Sequence, residues 1–291
     1  MTDALRAREA APASETSPRR AVHVPALAWA FFKRDVAIAA SYKMAFVGEA
    51  MGVLLKVITF YYISAIFGGV MTPNLAKYNN DYFAYIMIGV ALMDFMYTSL
   101  ETFDNNIRES QLMGTLEIVL LTPIKLTHML LFSSLWPYLF TTLTFLTYMF
   151  FGVVLFDLDI DERNPLAAAV ILLLSICNFA PLGILSATVV LVFKRGAGLR
   201  KVFSASFALL GGAFYPTAVL PEWVQGLCWY VPMTHAVDGL WAALISNASL
   251  ASLRGEILFL ACSAALTLPI SLLLFKVGVE HTKRSGTLTQ Y

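Results

Sequence analysis

Hydrophobic residues run along this chain in long blocks separated by short polar stretches. About twenty helical residues cross the roughly 30 Å of hydrocarbon in a bilayer, and blocks of this kind read as spans. They predict six transmembrane helices, near residues 44–67, 82–103, 127–156, 165–193, 202–217 and 255–276. The third and fourth are long enough to tilt or to project from the membrane. They contain Pro137 and Pro181, each of which predicts a kink. The fifth is at the lower limit for a span. Ahead of the first block, ALAWAFFKRDVAIAASYK (26–43) repeats Trp29, Phe32 and Val36 at helical spacing, interrupted by Lys33, Arg34 and Asp35. That pattern predicts a helix lying in the membrane interface; the alternative is the first turns of a long spanning helix. The fold class is therefore an all-α polytopic membrane protein.

Two stretches fit neither span nor hydrophilic loop. In NNIRESQLMGTLEIVLLTP (105–123), Leu112, Leu116 and Val119 share one helical face, and Ser110, Gly114 and Glu117 lie opposite. Ile118 and Leu121 blur the polar stripe, and Thr122-Pro123 stops the helix, since a residue before proline disfavours helical geometry. Such a helix either lies on lipid or docks into a partner's groove. Gly114 would permit close backbone approach, and Arg108, Glu109 and Glu117 would supply polar contacts. In the second stretch, 218–247, Pro221 and Pro232 bound short helical pieces, Glu222 to Tyr230 and Thr234 to Leu244. Neither piece is long enough to cross a bilayer. The stretch is either a cap on the outer leaflet or a broken, re-entrant hairpin whose irregular backbone is sheltered by protein.

Composition excludes a soluble domain: 58% of residues are hydrophobic and 13% charged, against roughly 25% charged in soluble proteins. The formal charge of +1 offers no basic face for nucleic acid. Three scattered cysteines and four scattered histidines form no metal-ligand spacing. Residues 1–24, rich in Ala, Pro, Ser and Arg, read as a disordered tail. The distribution of charge sets orientation. Sixteen Lys and Arg residues fall in the N-terminal segment, 104–126, KRGAGLRK (194–201) and the segment from Lys276, against three on the opposite side. Both termini are then cytoplasmic, with 25–276 forming one transmembrane domain and 277–291 a cytoplasmic tail.

GTLEIVLLTP (114–123) resembles the segment joining the second and third spans of ABC-2-type transporter permeases, the transmembrane subunits of one class of ABC exporter. GGAFYPTAVLPEWVQGLCWYVPMTHAVDGLWAAL (211–244) is similar to the broken region that follows the fifth span in that family. The six-span topology and the interfacial helix with Arg34-Asp35 fit the same pattern. The resemblance implies a coupling helix within 105–125, carried by Arg108, Glu109, Gly114, Thr115, Leu116, Glu117 and Pro123. It also implies an exit region at Phe214, Pro216, Leu220, Pro221, Trp223, Pro232, Thr234, His235 and Asp238. No P-loop or ABC signature motif occurs in these residues. ATP and magnesium are accordingly expected on a separate cytosolic ABC ATPase, with no cofactor in this chain. A second permease copy or a related half, and membrane lipid, are the other expected partners. A drug-like, lipid-linked or glycan substrate would leave across a bacterial inner membrane. The rival readings are an ATP-independent carrier, which should show paired broken helices in both halves, and a membrane-embedded enzyme, which should cluster His, Asp or Glu at one face.

Charges inside spans are costly unless paired. Lys56 and Asp94 each lie about twelve residues into their spans, and at 1.5 Å per residue both reach the midplane. An interhelical Lys56–Asp94 pair is expected, acting as structural glue or as a substrate contact. Glu101 and Asp104 are expected at the cytoplasmic surface.

Overall fold

The computed structural model describes residues 24–71, 74–112, 114, 126–158, 160, 164–193 and 197–284. Among them all regular structure is helical. Helices α1 (Val24–Ser41) and α2 (Lys43–Met71) are separated by a break at Tyr42, and α3 is Tyr82–Leu112. Then follow α4 (Leu126–Ser133), α5 (Leu135–Phe156), α6 (Pro165–Phe193) and α7 (Ala197–Leu210). Two short helices, α8 (Glu222–Cys228) and α9 (Pro232–Leu244), precede the final long helix α10 (Arg254–Arg284). Five helical stretches are long and apolar enough to cross a membrane: Lys43–Phe67, Tyr82–Ser110, Leu126–Phe156, Pro165–Phe193 and Arg254–Arg284. The expected tail 1–24 lies almost wholly outside the described residues. At the other terminus the helix runs on to Arg284, beyond the expected span end at 276.

Local sequence explains several boundaries. Asp81 caps α3, its Oδ1 accepting the Ala84 amide at 3.0 Å, and Asn79 and Asn80 turn the chain ahead of it with φ of 51° and 57°. Asn164 and Pro165 open α6, with Asn164 Oδ1 accepting the Ala167 amide at 3.3 Å. The third predicted span is divided at Ser134. Pro137 has no N–H to give the Ser133 carbonyl, and its ring crowds that oxygen. The hydroxyls of Ser133 and Ser134 fold back onto the Leu130 and Leu131 carbonyls at 3.0 and 2.8 Å.

The stretch 202–217 is not a continuous helix. α7 stops at Leu210 after 14 residues, a rise of about 21 Å. Gly212 then takes φ +64° and turns the chain out of helical geometry. The last α7 carbonyls are met from elsewhere: Tyr215 Oη donates to Leu209 at 2.9 Å and Thr234 Oγ1 to Leu210 at 3.3 Å.

The centre of the bundle is α3, of whose apolar stretch 83% is buried, against 11% for α2. It packs on α6, α5, α9 and α2, and α6 packs in turn on α10. Close approach of α3 and α6 depends on Gly183, where a Cβ would lie 2.2 Å from the Ser99 carbonyl oxygen. Asn178 of α6 donates to the Leu260 carbonyl at 2.9 Å and accepts from Ser263. These bonds tie α6 to α10 within an apolar interface.

Candidate functional site

At the Tyr82 end of α3 the broken segment 211–244 is anchored by side chains of α3 and of the connection that precedes it. Backbone carbonyls inside a packed bundle have no water and need donors. Tyrosines supply them. Tyr82 Oη donates to the Phe214 carbonyl at 2.8 Å. Tyr85 Oη donates to Gly212 and lies 3.1 Å from the Tyr215 carbonyl. Gly89, one turn further along α3, meets the same segment backbone to backbone. A Cβ there would sit 1.8 Å from the Ala213 carbonyl oxygen, so only glycine fits.

Asp238, on α9, is the second anchor. Its carboxylate accepts from Lys77 Nζ at 2.5 Å through Oδ2 and from Tyr78 Oη at 2.5 Å through Oδ1. Both partners come from the connection between α2 and α3. Burial, and next the Asp238 charge, push the Tyr78 phenol well above its ordinary value, so it remains a donor throughout the physiological range. Its ring packs edge-on against Trp241 at 5.3 Å. α9 is therefore buried against α3, α6 and α10.

The residues expected at the exit region do not form one cluster. Phe214 faces Phe60 of α2, ring centroids 6.3 Å apart. His235 stacks on Phe259 of α10 at 3.8 Å and its Nε2 lies 2.8 Å from the Trp229 carbonyl. The Leu220 carbonyl accepts from Gln225 at 2.7 Å. Pro216 is buried; Pro221 is exposed at the start of α8, while Pro232 begins α9. Trp223 is 75% exposed on α8. Asp238 and Thr234 alone of the nine hold the broken segment by side-chain bonds to other elements. Lys77, Tyr78, Tyr82, Tyr85 and Gly89 complete the anchor and are missing from the sequence-based set. The spacing of Tyr78, Tyr82 and Tyr85, at i, i+4 and i+7, was the available signal.

Near the middle of the long helices, Lys56 Nζ lies 3.1 Å from Asp94 Oδ2 and 3.2 Å from Oδ1. Asp94 also accepts from the buried Tyr148 of α5 at 2.8 Å. The lysine side chain is 45% exposed and the aspartate 20%, so the pair sits on the flank of the bundle.

At the far end of α3, Arg108 and Glu109 are exposed. Gly114 follows the helix with φ +64°, and among the described residues nothing lies within 4 Å of where its Cβ would be. This conformation favours glycine at a turn. Thr115, Leu116, Glu117 and Pro123 lie outside the described residues. Asp104 is buried rather than at the surface, because it faces α6 and accepts from Ser186 at 3.0 Å. Glu101 is exposed, 3.9 Å from Arg200 of α7. Among the described residues no three His, Cys, Asp or Glu side chains come together as a metal site.

Five helices long and apolar enough to cross a bilayer, packed with a broken and internally anchored segment, make a multi-pass membrane protein. The family model described as ABC-2 type transporter matches residues 27–245, and the chain belongs to that family. A Bacillus subtilis (strain 168) protein named "Putative transport permease YvfS" is 24% identical over 192 residues, covering 65% of this chain and 75% of the relative. The family membership supports a membrane transport role.

Proposed function

We propose that this chain is the transmembrane subunit of an ATP-driven exporter whose ATPase is a separate cytosolic polypeptide. The observation that carries this reading is the extent of the family match. Residues 27–245 include both the α3–α4 connection and the broken segment, and the sequence contains no P-loop to bind ATP itself. In this reading α7 with 211–217 counts as a short fifth span, giving six crossings, and the segment around α9 is re-entrant. The excess of Lys and Arg on one side supports cytoplasmic termini, and the membrane in this reading is a bacterial inner membrane. ATP-driven closure of two ATPase subunits would push on the 105–125 segments of two permease halves, identical or related. Arg108, Glu109, Gly114, Thr115, Leu116, Glu117 and Pro123 form the contact. The substrate is drug-like, lipid-linked or a glycan, and the Lys56–Asp94 pair holds α2 on α3.

The test is co-purification of the tagged chain with an ABC ATPase whose turnover in proteoliposomes depends on it. Glu117→Arg should leave the permease folded and abolish both association and stimulated turnover. Retention of both would remove the coupling assignment, and absence of any ATPase partner would remove the ATP-driven reading.

A further inference from the structure

α1 lies across α4 and α5, held by Phe31 against Phe132 at 6.3 Å and Phe32 against Trp136 at 6.2 Å between ring centroids. It does not close onto α3. Between them is a cavity of about 720 Å³, into which two helical stripes face. Phe31, Arg34, Asp35 and Ile38 come from α1, and Thr102, Asn105, Asn106 and Glu109 from α3. Both stripes follow the i, i+3, i+4, i+7 spacing of a single helix face. Trp136 and Pro137 wall the remaining side. The volume lies in the range of small-ligand sites.

We propose that this cavity binds the headgroup of a zwitterionic aminophospholipid from the adjoining leaflet, phosphatidylethanolamine being the fitting chemistry. Three observations converge on it. First, the lining is mixed: Arg34, Asp35, Asn105 and Glu109 supply polar groups, Asn106 being bonded to Ser133 at 2.8 Å, and Phe31, Ile38 and Trp136 supply apolar ones. Ile38 is 55% exposed, and this apolar rim suits glycerol and upper acyl carbons. Second, Arg34 spends its Nε and one Nη on Asp35, at 2.8 and 2.7 Å. A guanidinium has five N–H donors, leaving others for a phosphate oxygen beside the Asn105 amide. Third, the lining carries Asp35 and Glu109 against Arg34, a net charge of −1. An anionic headgroup such as phosphatidylglycerol is therefore disfavoured, and a headgroup with its own ammonium has Glu109 to receive it. The source is the bilayer, because α1 has the interfacial pattern, with Trp29 64% exposed beside its aromatic staples. The site requires only that α1 lie at a membrane surface; it does not require the ATP-driven reading.

The experiment uses the full chain in nanodiscs containing phosphatidylethanolamine with a diazirine near the top of one acyl chain, without ATP or ATPase. Photolysis should label peptides containing Phe31–Ile38 and Trp136. Unlabelled phosphatidylethanolamine should compete and phosphatidylglycerol should not. Arg34→Gln and Glu109→Gln should each cut this labelling about fivefold, one charge-assisted contact's worth, while labelling at the exposed Leu266 and Leu273 of α10 stays constant. Melting temperatures of the variants should match the parent. Equal competition by phosphatidylglycerol would overturn the proposal. So would unchanged labelling in both charge variants, uniform labelling over all outward faces, or displacement by water-soluble glycerophosphoethanolamine at the same concentration.

Discussion

In its first turns α3 carries Tyr82, Tyr85 and Gly89 against the non-helical stretch 211–216, where the contacts are short. In its last turns it carries Thr102, Asn105 and Glu109 to the edge of an open cavity. One helix thus ends in a closed polar lock and in an open polar groove. The difference follows from what each end meets. At the Tyr82 end the chain must bury irregular backbone, and an unbonded carbonyl costs about 1–3 kcal/mol. The carbonyls of Gly212, Phe214 and Tyr215 each have a tyrosine hydroxyl within reach. At the α1 end, among the described residues, the neighbouring backbone is helical, and while Asn106 bonds Ser133, Thr102, Asn105 and Glu109 face the cavity. Polar residues in a membrane bundle therefore divide into those that complete the fold and those that await a ligand, and geometry alone separates them.

The comparison breaks most severely at Gly89. Gly89→Val would force α3 away from Ala213 and should abolish recovery of monodisperse protein by size-exclusion chromatography, a cost above about 4 kcal/mol. Gly52→Ala, where nothing lies within 4 Å, should be recovered at parental yield. Recovery of folded Gly89→Val would mean that this end is not closed as described.

Asp238→Ala comes next. It strips the buried Tyr78 of its charged acceptor and should destabilise by about 2–3 kcal/mol. Lys77→Ala should cost less than about 1 kcal/mol, because that side chain is 64% exposed and water screens it. Thermal melts in detergent would rank the two, and an equal loss would shift the weight from the phenol to the ion pair.

Midway along α3, a double-mutant cycle over Lys56→Gln and Asp94→Asn should yield a coupling of about 1 kcal/mol. Asp94→Asn alone should cost more than Lys56→Gln, since Asp94 also serves Tyr148. Charge reversal at Asp94 that left assembly and export unaltered would remove the pair from any role.

The smallest effect belongs to the open end. Asn105→Ala should change the melting temperature by an amount equivalent to less than about 0.5 kcal/mol. A large loss would mean that the groove is part of the fold's own support.

Much of this organisation is legible in the residues themselves. Runs of about twenty apolar residues specify helices because their hydrogen bonds are local and lipid offers no alternative partner. Pro137 and Pro165 likewise act on their own neighbours, as does Asp81, so helix ends could be read nearby in the chain. Equal depth in two adjacent spans was enough to match Lys56 with Asp94. By contrast, α2 and α3 are both apolar, and nothing in either tells lipid from protein as a neighbour; packing alone made α3 the core and left α2 on the flank. The same limit hid the burial of Asp104 against Ser186, and the stop at Leu210 where an apolar run continued. Asp238 meets Lys77 across 161 positions, and Tyr85 meets Gly212 across 127. Such contacts depend on the whole bundle closing, because a side chain's partner is set by which surfaces fit together, whereas its helix is set by the residues within a few turns of it.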